Sequence, residues 1–138
     1  MPHFLALVPR RLVALAGALC ACLLLAACSS SPTPETVVRD FINAAANNRV
    51  EEAIGYFSLE GVKGNDLTAA KGKLMMVVGD FYSRIEGNGG LDSVSTSLAE
   101  NKDNTARVEA VMKFKNGQTK KERFDLIQES GKWKIHLK

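Results

Sequence analysis

From Pro34 onward, hydrophobic positions recur at helical spacing. In "PETVVRDFINAAANN", Val37, Val38, Phe41, Ile42 and Ala45 form one apolar stripe. Thr33 suits the cap before this helix, Pro34 its first position, and Glu35 its positive end. Asn47-Asn48 ends it. Residues 50–57 read as a short second helix with Ala53, Ile54 and Phe57 inward. After a loop at residues 61–64, Asn65 or Asp66 is placed to cap a third helix reaching Ile85. Ala70, Leu74, Val77, Val78, Phe81, Tyr82 and Ile85 make its stripe, with Met75 and Met76 beside it as gap fillers. "EGNGG" stops the helix and starts a turn.

The period then changes from helical to alternating. Residues 91–100 alternate weakly. In "NTARVEAVMKFKNGQ", Ala106, Val108, Ala110, Met112 and Phe114 share one face, and Arg107, Glu109, Lys113 and Lys115 the other. Asn116-Gly117 is a hairpin signal. Residues 119–129 return with Phe124 and Leu126, although Ile127 breaks strict alternation. Ser130-Gly131 turns the chain once more, and "KWKIHLK" closes with Trp133, Ile135 and Leu137 inward. Three helices followed by four antiparallel strands with one apolar face predict a two-layer α+β fold, the helices covering the sheet.

The N-terminal part has a different pattern. Residues 12–27, "LVALAGALCACLLLAA", run for sixteen positions without a charge or a proline, just after Arg10 and Arg11. That is short of the roughly 20 apolar residues a membrane span requires. A basic start, a short apolar run and small residues at its end describe an export signal. Leu25-Ala26-Ala27-Cys28 also resembles the lipobox of bacterial lipoproteins, and all four positions match. That resemblance implies diacylglycerol on the Cys28 thiol, cleavage after Ala27, and acylation of the new amino group. Buried acyl chains contribute about 0.8 kcal/mol per methylene, so two or more give stable anchoring. The expected organisation is a signal peptide over residues 1–27, a lipidated cysteine and tether over residues 28–33, and one domain over residues 34–138. In lipoproteins of cells with two membranes, a residue such as Ser29 after the cysteine favours the outer membrane, periplasmic side. A plain secretory signal with an incidental cysteine, or an uncleaved anchor, are the alternatives.

Composition narrows the classes without choosing among them. The chain is 46% hydrophobic and 24% charged, which suits a folded core. Its formal charge of +3 includes Arg10 and Arg11, and falls to about +1 without them. A near-neutral domain is not an expected nucleic-acid binder. The three cysteines, Cys20, Cys22 and Cys28, precede the domain, and no histidine cluster accompanies them, so no metal site or cofactor is expected.

"PETVVRDFINAAANNRVEEAIGYF", the long third helix and the closing "GKWKIHL" are similar to the DUF4878-like domains of bacterial lipoproteins, within the cystatin-like, NTF2-like cone. The Pro-Glu helix start, the Val-x-x-Phe stripe and Glu-x-Ala-x-x-x-Phe carry the resemblance, which covers residues 34–138. These are packing motifs. They imply a fold and a setting, and the group lends no general activity. Folds of this type often pair through the sheet, which the lysines here would discourage.

NTF2-like enzymes commonly place an Asp or His base inside the cone, with Tyr or acid donors. The corresponding residue types here are Asp40, Tyr56, Asp80, Tyr82, Asp125 and His136. Helical and strand registers turn the acids and His136 outward, and the tyrosines suit the edge of a core. No Ser/His/Asp set or phosphate loop is present. No catalytic activity is therefore expected. Lys113, Lys115, Lys121, Arg123, Lys132 and Lys134 lie in the last three strands and their turns, several of them in one outward register, a candidate surface for anionic lipid, glycan or an acidic envelope partner. The same lysines also serve as protection of a solvated sheet face. The competing reading is a small-molecule site or enzyme in the cone. It requires an open pocket rather than one filled by Phe41, Phe57, Leu74, Phe81 and Trp133.

Overall fold

The structure, a computed structural model, describes residues 30–138. The signal, cleavage and lipidation expectations for residues 1–28, Ser29 and the first tether positions lie outside the described residues. Residues 30–33 are exposed and precede the first element.

Thr33 closes the start of helix α1 (Pro34–Ala46) by accepting the backbone N–H of Thr36 at 3.3 Å. Pro34 sits in the first turn, where its missing N–H removes no helical bond. The apolar stripe buries Val37, Val38, Phe41, Ile42, Ala44 and Ala45. Helix α2 (Val50–Ile54) and helix α3 (Asn65–Gly87) complete the helical layer.

Strands β1 (Leu91–Lys102), β2 (Thr105–Phe114), β3 (Thr119–Glu129) and β4 (Lys132–Ile135) form an antiparallel sheet in the order β1-β2-β3-β4. Ala106, Val108, Ala110, Met112 and Phe114 of β2 all point into the core, as their alternation predicts. Asn116-Gly117 makes the second hairpin, with Gly117 at φ 87°. Ser130 and Gly131, at φ 48° and 77°, make the third. Helix α1 lies against the sheet: the Thr96 hydroxyl of β1 donates to the Glu35 carbonyl at 3.1 Å. The predicted α+β architecture, helices over a four-stranded antiparallel sheet, is the one observed.

Several local expectations differ. Helix α2 stops at Gly55, and Phe57 pairs in an extended bridge with Ile135 rather than continuing the helix. The cap of α3 is Gly64, at φ 59°, not Asn65 or Asp66. Only Leu74, Val78, Phe81 and Ile85 of α3 are buried. That 4-3-4 spacing is one narrow stripe, so Met75, Met76 and Val77 are exposed, and Ala70 and Tyr82 are half-buried. Because β4 ends at Ile135, Leu137 is exposed instead of packed inward.

Candidate functional site

The cone interior is filled by aromatic rings. Phe41 stands at its centre, with Phe57 at 5.1 Å and nearly perpendicular, Phe81 at 5.5 Å and Phe124 at 5.8 Å between centroids. Each ring comes from a different part of the chain: α1, the residues after α2, α3 and β3. Leu74 is buried with them, and Trp133 packs half-buried against the same core. Among the described residues, no polar or charged side chain is buried. No group of His, Cys, Asp and Glu is placed to hold a metal ion there. No described helix is long and apolar enough to cross a membrane.

The residue types that would supply acid–base chemistry are dispersed. Asp80 is exposed and pairs with Arg84 at 3.3 Å, while His136 is exposed past the end of β4. Asp40 and Tyr56 are both half-buried near one another. Burial raises the Tyr56 phenol above its ordinary pKa, with a further push from the negative charges of Asp40 and Glu52. Tyr82 is half-buried on α3, and Asp125 lies on the outer face of the sheet.

An open hollow of about 590 Å³ remains at the mouth of the cone, between α2, α3 and the β3–β4 turn. Ile54, Phe57, Leu59 and Met75 give it apolar walls, and Glu51, Glu60, Lys71, Glu129 and Lys134 ring it. Two of these charges already have partners: the Ser58 hydroxyl donates to Glu129, and Lys134 Nζ donates to the Gly55 carbonyl at 2.5 Å. Sequence reasoning missed this hollow. Its walls come from α2, α3 and a turn that no local pattern brings together.

The outer sheet face holds most of the predicted cations, but carboxylates are interleaved with them. Lys121 and Arg123 both reach Glu109, at 3.4 and 3.0 Å, and Lys113 reaches Asp92 at 4.0 Å. Arg107 and Lys138 clamp Asp125 at 2.9 and 2.8 Å. The clamp holds the Asp125 carboxyl below the usual carboxylate range, Lys138 contributing first and Arg107 second. The hydrogen bond from Arg123, then Lys121, likewise lowers Glu109. Arg107 is in turn pushed up by Asp125. Lys134 is engaged at the hollow. Lys132 and Lys115 are exposed and form no ion pair among the described residues. The stem of Lys115 passes over Gly90 at van der Waals distance, and the φ of 98° at Gly90 is what disfavours a larger residue there.

The fold has a known counterpart. An NTF2-like protein from Campylobacter jejuni, provisionally described as a transpeptidase, superposes with a TM-score of 0.70 at 20% identity, covering 77% of this chain and 99% of that one. An NTF2-like protein of unknown function from Exiguobacterium sp. 255-15 gives a TM-score of 0.32 at 15% identity, over 72% of this chain and 92% of that one. At these identities the first likeness establishes the fold alone. A comparison with curated proteins returns no match. The family profile described as "Domain of unknown function (DUF4878)" matches residues 26–136, which is most of the sequence. The chain belongs to the DUF4878 family, on an NTF2-like fold.

Proposed function

We propose that this chain is a lipid-anchored envelope protein whose domain acts by binding or structural interaction through its exterior, without catalysis. The observation that carries the non-catalytic part is the closed interior. Phe41, Phe57, Phe81 and Phe124 pack ring against ring between the helices and the sheet, and among the described residues no acid, base or oxyanion-donor side chain is buried with them. The anchored part rests on Arg10-Arg11, the apolar run, Leu25-Ala26-Ala27-Cys28 and the exposed stretch of residues 30–33 that leads into the domain. Acylation of Cys28 on the outer membrane would hold the domain within tether reach of the envelope. Lys132 and Lys115, exposed and outside any ion pair among the described residues, suit an anionic or acidic partner there.

With aromatic rings filling the interior, the small-molecule alternative is left, among the described residues, with surface hollows: the one at the cone mouth and a smaller one of about 220 Å³ beside Arg107, Asp125 and His136. Methyl NMR on the wild-type domain separates the readings. Small aromatic ligands such as indole should leave unshifted both the Ile42, Val78 and Leu126 methyls of the interior and the Ile54, Leu59 and Met75 methyls of the hollow. Saturable shifts of either set would show a site open to ligands, and the small-molecule reading would replace this one.

A further inference from the structure

We infer that the outer edge of β1 is a pairing surface for the β1 edge of a second copy of this chain, across a two-fold axis at Thr96. The sheet has two edges, and the fold treats them differently. The far edge is covered at the end of β4, where the Ile135 N–H donates to the Tyr56 carbonyl and the Ser58 N–H to the Ile135 carbonyl, both at 2.8 Å, and the part of β3 that β4 does not reach carries Lys120, Lys121, Glu122 and Arg123. The outer edge of β1 has no partner among the described residues. An uncovered edge is a template for another strand unless lysine, proline or a bulge blunts it. In β1 the irregularities in register fall around Asp92 and Ala99. Between them, residues 93–98 read "SVSTSL", with no charge and no proline. That leaves an unguarded run of about 20 Å, bounded at both ends.

The run is self-complementary in one register. Antiparallel neighbours share a face, so only registers that keep inward residues opposite inward residues are allowed. Centring the pair on Thr96 sets Thr96 against its own copy, Val94 against Leu98 twice, and Ser95 against Ser97 twice. Val94 and Leu98 are inward-register residues opposite Met112 and Val108, yet Leu98 is 40% exposed because nothing lies beyond it. Centring on Ser95 instead sets Leu98 against Asp92, and centring on Ser97 sets Val94 against Glu100. The Thr96 register alone pairs apolar with apolar and threonine with threonine.

The geometry also closes. A two-fold axis normal to the sheet places both helical layers on the same side, and the far edge is blunted against further addition by β4 over Leu126–Glu129 and by Lys120, Lys121, Glu122 and Arg123 along the unpaired rest of β3. Because the Glu35 carbonyl rests on the Thr96 hydroxyl, residues 30–33 of both copies leave the domain beside the axis. On the anchored reading, with which this part of the inference stands, two lipids then enter one membrane. Confinement there raises the effective concentration of the second edge.

Cysteine cross-linking of the full chain in its membrane tests this directly. With wild-type cross-linking as baseline, Thr96→Cys should give a covalent dimer on oxidation, and Val94→Cys, which sits far from its own copy in this register, should not. Ser95→Lys with Ser97→Lys, in the Thr96→Cys background, should abolish the dimer by placing lysines opposite each other. Ser95→Asp with Ser97→Lys should restore it, with circular dichroism confirming that all variants fold. Equal cross-linking at positions 94 and 96, no dimer above baseline, or indifference to the lysine pair would overturn the pairing. Intact mass of the same preparations reads the anchor separately. A lipidated monomer would sink the edge and leave the anchor, and an unlipidated dimer the reverse.

Discussion

Phe41 carries more of the interior than any other side chain. It is 1% exposed and touches three aromatic rings that come from three other segments. Phe41→Ala should lower stability by about 3–5 kcal/mol, read by urea denaturation, since both transfer and cavity terms apply. A loss near 1 kcal/mol would mean the interior collapses readily and is not the fixed aromatic plug described above. The carboxylates of the outer face set the acid limit. Asp125 and Glu109 have lowered pKa values in the fold, so their contribution is present above the ordinary carboxylate range and is lost as pH falls through their folded values. The thermal midpoint should stay level from neutrality to about pH 5 and then decline, with a shallower decline in Asp125→Asn. An acid limb identical in the variant would show that the Lys138–Asp125–Arg107 clamp adds nothing. At this scale, burial in β2 was readable from alternation. Met75 and Met76 were misplaced, because apolar character alone does not say how wide a stripe the neighbouring helices cover.

Helix α3 is longer than its packing demands, and its outward side includes two glycines. A Cβ added at Gly72 or Gly79 would meet nothing within 4 Å. Each Gly→Ala change should therefore raise stability by about 0.5–1 kcal/mol through lower unfolded-state entropy and better helix propensity. A loss at either position would mean that something closes on that side of the helix. The element boundaries show where local pattern is enough. Thr33-Pro34 and Asn116-Gly117 announce a start and a turn through their own chemistry, and both stand where expected. The end of α2 was not legible. Gly55 marks a stop, but Phe57 is drawn into an extended bridge by the open edge of β4, a partner nearly eighty residues away. The early end of β4, which leaves Leu137 exposed, follows from the same short edge pairing.

For the whole molecule, element order made the two-layer α+β fold legible, because a sheet with one apolar face requires a cover and the preceding helices were the available one. The candidate surfaces were legible only in part. Charge counting located the cations of the last strands, but the partners of Lys121, Arg123 and Lys113 depend on cross-strand register, which brings Glu109 and Asp92 beside them. The hollow and the bare edge of β1 are properties of assembly and have no local signature, apart from the uncharged "SVSTSL". On the proposed reading the setting of the molecule depends on Cys28, and the most direct measurement is the intact mass of the membrane-extracted chain beside a Cys28→Ala variant. The account predicts a mass equal to residues 28–138 plus acyl chains, lost in the variant. A mature chain without lipid, or one still carrying residues 1–27, would contradict it.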